Sequence, residues 1–346
     1  MLNEIKNKID AELRAYASGL ETAYGLRRIS PVLSGHIREY VLRPGKRVRS
    51  CLFVAAYLGY ARAPRPGLYR TALAFEMLHN FMLIHDDIID RSALRRGAPS
   101  MHAQLDRYLA RYRNLKFTGS DLGIVVADCI YAMAIEAFLA VRENPAHKEA
   151  ALRKFTEAAV FTGGGEFVEM LAGARPIGKI ALRDIYAIYD LKTAYYTFCA
   201  PLVVGSILAG APRSQISLLT GYGIDLGRAF QINDDILDMC APESQTGKTS
   251  LTDIRESKKT LLIWHAYRNA RLKDRRAMQR IFDKPAPDRK DMEKIRSVVN
   301  GSGSVTFGRG RIRSLVRHAA AAVSRLTMKK PYKELLSNLP SLILKA

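Results

Sequence analysis

Residues 81–97 read FMLIHDDIIDRSALRRG, and residues 227–239 read GRAFQINDDILDM. In both, an apolar run at helical spacing is interrupted by the same acidic signature, DDxxD. It comprises Asp86, Asp87 and Asp90 in the first run, and Asp234, Asp235 and Asp238 in the second. Residues four apart share a helix face, so Asp86 stands over Asp90 and Asp234 over Asp238. Extended backwards, the stripes become His79, Met82, Asp86, Asp90 and Gly227, Gln231, Asp234, Asp238. Two such stripes facing each other would make a deep cleft with six carboxylates near its mouth. Carboxylates crowded on apolar helices repel one another and resist burial, so they need a cation or else take up protons. An all-oxygen donor set suits magnesium, which is commonly held by one or two carboxylates plus substrate phosphates. One DDxxD alone could be a solvated helix end. A second copy about 150 residues later, again inside an apolar helix, argues for a site.

The rest of the chain reads the same way. Apolar residues recur at helical spacing almost everywhere, while alternating, strand-like runs are scarce. Proline and glycine mark the joints, and long segments lie between them at roughly 68–92, 119–142, 147–174, 181–210, 213–240 and 257–271. Segments with apolar residues on more than one face belong inside a bundle. The expectation is an all-α protein, a single large helical bundle over residues 1–346 around a central cleft. No linker, low-complexity tract or internal repeat divides it.

Composition narrows the partners. Lys plus Arg number 54 against 33 Asp plus Glu, a net charge of +21. Such an excess favours a phosphorylated substrate, an anionic membrane surface or nucleic acid. Nucleic acid, which the basic stretches Arg268 to Arg280 and Arg309 to Arg325 could serve, would leave the carboxylates unexplained, and is not expected as a partner. Cys51, Cys129, Cys199 and Cys240 form no CxxC pair and lie in apolar neighbourhoods, which predicts buried free thiols in a reducing compartment. The opening MLNEIKNKID lacks the apolar core of a signal peptide, so the expected location is the cytoplasm. Leu122 to Val141 approaches membrane-spanning length but carries Asp128 and Glu136, costly in lipid, and reads as a buried helix.

Phosphate-binding groups should accompany a magnesium cleft. RPGKRVRS places Lys46, Arg47 and Arg49 after the Pro44-Gly45 turn, where a helix is expected to begin and offer backbone donors to an anion. Arg95 and Arg96 directly follow the first aspartate cluster and suit bidentate phosphate recognition. Lys192-Thr193, Lys248 and Lys258 come later, each unremarkable in isolation.

Taken in order, GKRVR (45–49), HDDIIDRSALRRGAPSMH (85–102), LKT (191–193), FQINDDILD (230–238) and GKTSLTDIRESKKT (247–260) resemble the trans-isoprenyl diphosphate synthase, or polyprenyl synthetase, family. The resemblance implies a magnesium-dependent prenyltransferase, a homodimer, with isopentenyl diphosphate and an allylic diphosphate as substrates. By it, Asp86, Asp90 and Asp234 would hold magnesium, about three ions with the allylic diphosphate, and Asp87, Asp235 and Asp238 would support them. Lys46, Arg49, His79 and Arg96 would bind isopentenyl diphosphate. Arg95, Lys192, Lys248 and Lys258 would contact the allylic diphosphate, and Thr193 and Gln231 would line the reacting centre. Two departures from the family pattern stand out: Ser257 where glycine normally precedes the last lysine, and GEFVE at 165–169, with Glu166 for glutamine and Glu169 for aspartate.

Product length should depend on what blocks the channel below the metals. Met82 lies one turn before Asp86, and Phe81 is the fifth residue before it. An aromatic there, with no insertion in DDIID, resembles the geranylgeranyl diphosphate (C20) synthases. Alternatives are a farnesyl or longer polyprenyl product, or a terpene cyclase, which would not need GKRVR and RRG for a second diphosphate. The extra positive charge could also serve peripheral membrane contact.

Overall fold

The computed structural model describes residues 1–95, 97–240 and 252–344. It is all-helical apart from one two-stranded hairpin among the described residues. The chain divides into two compact units, Met1–Arg153 with Val204–Ala211, and Lys154–Val203 with Pro212–Ala346.

The first unit contains α1 (Leu2–Tyr24), α2 (Leu26–Ile29), α3 (Pro31–Val41), α4 (Val48–Tyr60) and α5 (Leu68–Ile89). A hairpin follows, β1 (Leu94–Arg95) with β2 (Ala98–Pro99), then α6 (Met101–Leu109), α7 (Gly119–Phe138) and the start of α8 (Pro145–Ala174). Local chemistry sets the boundaries. Ser30 caps α3, whose first residue is Pro31, and Thr118 with Asp121 forms a capping box on α7. Gly67 has φ 85° and allows no side chain, because a Cβ would fall 2.1 Å from the carbonyl oxygen of Ala140. Cys51 through Tyr57 of α4, and Ala72 through Phe75 with Met77 and Leu78 of α5, are wholly inaccessible. These are the all-round apolar helices expected inside a bundle. By contrast α7 buries one stripe, including Val126, Ile130 and Ala134, and leaves Val125 and Asp128 exposed. The Leu122–Val141 run is therefore an amphipathic helix rather than a fully buried one.

The second unit holds most of α8, then α9 (Leu182–Ile188), a π-helical segment (Tyr189–Cys199), the start of α10 (Ala200–Leu208) and α11 (Arg213–Cys240). It continues through α12 (Thr252–Arg255), α13 (Leu261–Asn269), α14 (Leu272–Phe282), α15 (Arg289–Gly301), α16 (Ser304–Ser324) and α17 (Lys330–Ile343). Its core gathers Ile232, Ile236, Leu262, Ile295 and Val299, among others. The stretch expected as one helix over 181–210 thus contains eleven residues of wider π winding, a feature that often marks a functional site. Two contacts hold it against α11. Arg228 grips Asp190 with two bonds of 2.6 Å. Gly227 lets the backbones meet, since a Cβ there would lie 2.3 Å from the Cα of Ala194.

All four cysteines are free. Cys51 and Cys199 are buried as expected, whereas Cys129 is half-buried and Cys240, at the end of α11, is exposed. The exposure of Cys240 follows from its place as the last residue of α11.

Candidate active site

In the first unit the aspartates occupy the last turn of α5. Asp86 and Asp90 are half-buried, and each offers a carboxylate oxygen within 4.8 Å of the other's. Asp87 turns inward and is completely buried. The β1–β2 hairpin bends Arg95 back onto them: its Nε donates to Asp87 Oδ1 at 2.7 Å and its Nη2 to Asp86 Oδ2 at 3.0 Å. Burial pushes the Asp87 carboxyl up to about 6, although Arg95 pulls the other way. The same neighbours raise Arg95 above its ordinary value despite its own burial, so it stays charged.

This donor set fits a hard cation. It is all oxygen, and the Oδ2 of Asp87 is buried without a hydrogen-bond partner among the described residues. Such an atom calls for a ligand or ion.

The basic residues ahead of α4 divide by role. Lys46 is exposed and Arg49 half-buried, but Arg47 is only 5% accessible. It adopts φ 53° at the α4 N-cap and binds Glu76 at 3.0 Å and Asp10 at 2.9 Å. One residue of GKRVR is therefore a structural ion pair. His79, Phe81 and Met82 are half-buried on α5. The Phe81 ring packs 4.9 Å from Tyr131 of α7 and 4.6 Å from His85, centroid to centroid.

In the second unit the pattern of the acidic cluster recurs. Asp234 is exposed, Asp238 half-buried and Asp235 buried. A chain of hydrogen bonds runs through the buried member. Thr193 Oγ1 donates to Gln231 Oε1 at 2.7 Å, and Gln231 Nε2 donates to Asp235 Oδ1 at 2.9 Å. Tyr189 donates to Asp235 Oδ2 and accepts the Leu261 N–H at 2.8 Å. Burial pushes the Asp235 carboxyl up to about 7, against the pull of Tyr189 and Gln231. Thr193 and Gln231, predicted to line one centre, do touch.

Lys192 sits 2.5 Å from both Glu166 and Glu169 of α8. Lys258 pairs with Glu256 at 2.5 Å. A cavity of ≈ 30 Å³, large enough to hold water, is lined by Glu169, Tyr189, Gln231, Asp235, Lys258 and Lys259, among others. Ser257 has φ 56°, which accounts for the glycine usual at this position: the backbone here is left-handed. Arg96 and Lys248 lie outside the described residues.

Two residues at this site escaped the sequence reading. Tyr189, three residues before Lys192, links Asp235 to the start of α13. Its signal was a tyrosine inside YDLKT, indistinguishable there from core packing. Lys259 was passed over for Lys258, yet it is the buried one of the pair. It donates to the Gly173 carbonyl at 2.6 Å and stands 4.8 Å over the Phe282 ring.

Comparison with known proteins agrees with this arrangement. The chain is 30% identical over 311 residues to a geranylfarnesyl diphosphate synthase of Aeropyrum pernix, covering 88% of this chain and 91% of that one. It is 31% identical over 268 residues to a geranylgeranyl diphosphate synthase of Sulfolobus acidocaldarius, covering 75% and 72%. The fold matches a Corynebacterium glutamicum geranylgeranyl pyrophosphate synthase, solved with isoprenyl diphosphate and magnesium, with a TM-score of 0.86 at 24% identity over 100% of this chain and 99% of that one. The polyprenyl synthetase sequence profile spans residues 30–299, both aspartate clusters and the lysines between and after them included, and the chain belongs to that family.

Proposed function

We propose that this prenyltransferase condenses isopentenyl diphosphate with an allylic diphosphate, with geranylgeranyl diphosphate as its main product. The observation carrying this reading is the repeated build of the two aspartate clusters. In each, one carboxylate is buried and held by hydrogen bonds while the other two stay more accessible. That division of labour suits positioning of a metal–diphosphate pair. The family is magnesium-dependent, and the oxygen donors of Asp86 and Asp90 fit it.

On this reading Asp86, Asp90 and Asp234 hold about three ions, and Asp87, Asp235 and Asp238 orient them. When bound, magnesium would neutralise the charge that develops as diphosphate leaves the allylic carbon. Arg95, Lys192, Lys248 and Lys258 bind the leaving diphosphate by charge-assisted hydrogen bonds. Lys46, Arg49, His79 and Arg96 hold isopentenyl diphosphate so that its double bond meets the allylic carbon. Thr193 Oγ1 and Gln231 Oε1 present oxygen lone pairs to the developing positive charge. The released diphosphate is the base that accepts the final proton.

Relatives named for geranylgeranyl and geranylfarnesyl products support a chain length at or near C20. A homodimer in the cytoplasm, with peripheral contact to an anionic membrane through its excess positive charge, completes the proposal. Incubation with magnesium, labelled isopentenyl diphosphate and the C5, C10 or C15 primer, followed by product sizing, tests it. A C20 product is expected. Release of diphosphate from the primer without incorporation of label would point to a cyclase instead.

A further inference from the structure

Lys192 leaves the π-helical segment with its ammonium between two carboxylates one turn apart on α8. Glu166 Oε2 and Glu169 Oε2 each lie 2.5 Å from Nζ. All three side chains are largely enclosed, with 17–19% of their surface accessible. The lysine meant to greet a diphosphate is therefore already engaged by two carboxylates of the protein. Charge-assisted contacts between enclosed groups are among the stronger polar interactions in a protein. A bare diphosphate would have to displace two carboxylates to gain one ammonium, and would meet their repulsion on the way. A divalent cation arriving with it reverses the balance, because it attracts both the carboxylates and the phosphate oxygens.

We propose that Glu166, together with Glu169, is a latch holding Lys192 away from diphosphate until a divalent cation accompanies it. The latch makes the site reject metal-free diphosphate. Glu169 also faces the small cavity beside Asp235 and Lys258. The inference rests on the reading that Lys192 binds the allylic diphosphate. It makes Glu166 a positioning residue acting through Lys192, not a group that touches the reacting atoms.

The test is calorimetric titration of the full chain with inorganic pyrophosphate, in chelator and then in magnesium. Glu166→Gln keeps the side-chain size and an acceptor while removing the charge. It is expected to tighten metal-free pyrophosphate binding by about 10-fold and to change binding in magnesium much less. In the double variant with Lys192→Met the metal-free gain should vanish. Thermal melts of each protein establish that it is folded, and Glu169→Gln gives a second single variant. Unchanged metal-free affinity in Glu166→Gln and Glu169→Gln, or a gain that survives Lys192→Met, overturns the latch. The condensation assay on the same preparations separates the two readings. Active enzyme with unaltered pyrophosphate binding defeats the latch alone. Absence of condensation by the unaltered chain defeats the proposed function, and pyrophosphate titration still decides the latch.

Discussion

The hydroxyl of Tyr189 joins two distant parts of the chain: it donates to the buried carboxylate of Asp235 and accepts the backbone N–H of Leu261, the first residue of α13. Both of its partners are buried. Tyr189→Phe removes the hydroxyl and strands them. A buried polar group left unpaired costs about 1–3 kcal/mol, so the urea midpoint should fall accordingly with an unchanged slope. A midpoint equal to wild type would show that water replaces the hydroxyl at no cost.

Asp86→Ala and Asp234→Ala should each lower turnover by on the order of 10³-fold or more while the thermal transition stays cooperative, as expected for groups that stabilise transition-state charge. Steady-state kinetics with circular dichroism on the same samples checks this. Near-normal turnover in either variant would remove that residue from the metal site.

Phe81 packs against Tyr131 and His85, and its truncation opens space on the same helix that carries Asp86. Phe81→Ala should shift the product distribution towards longer chains, read by chromatography of the dephosphorylated alcohols. If an active, folded variant gives the wild-type distribution, Phe81 is core packing and the length stop lies elsewhere.

Ser257 is held at φ 56°. A side chain in the left-handed region costs roughly 1–2 kcal/mol relative to glycine, offset in part by the greater freedom of glycine in the unfolded chain. Ser257→Gly should therefore raise stability by about 0.5–1 kcal/mol, with turnover retained. A lower melting temperature would mean that the serine makes a compensating contact.

Burial pushes the Lys259 ammonium down to about 8 from its ordinary 10.5, with Asp283 pulling the other way. Between those two values the unfolded chain binds more protons than the folded one, so this group makes stability rise with pH there and makes it lowest below pH 8. Lys259→Met removes that dependence. The stability of the variant relative to wild type should be greatest near pH 7 and shrink by pH 10, measured by denaturant unfolding across that range. A difference that is flat with pH would show that Lys259 titrates normally.

Much of this was legible along the chain. The helices over 68–89, 119–138, 145–174 and 213–240 follow from apolar periodicity punctuated by proline and glycine, which act locally. The two DDxxD clusters were legible because repeated charge inside an apolar helix is costly wherever it occurs. The contact of Thr193 with Gln231 was implied only by the family resemblance, since spacing cannot say that residues 38 positions apart meet.

What the sequence by itself determined is the set of helices and the chemistry they carry, because helix propensity, capping and the cost of unpaired carboxylates are properties of short segments. Only the tertiary structure decided which charges are spoken for. It buried Arg47 against Glu76, clamped Lys192 between Glu166 and Glu169, and gave Asp235 a tyrosine partner. Each of these depends on groups far apart in the chain, and a local pattern of charges is the same whether its partner is a protein carboxylate or a substrate.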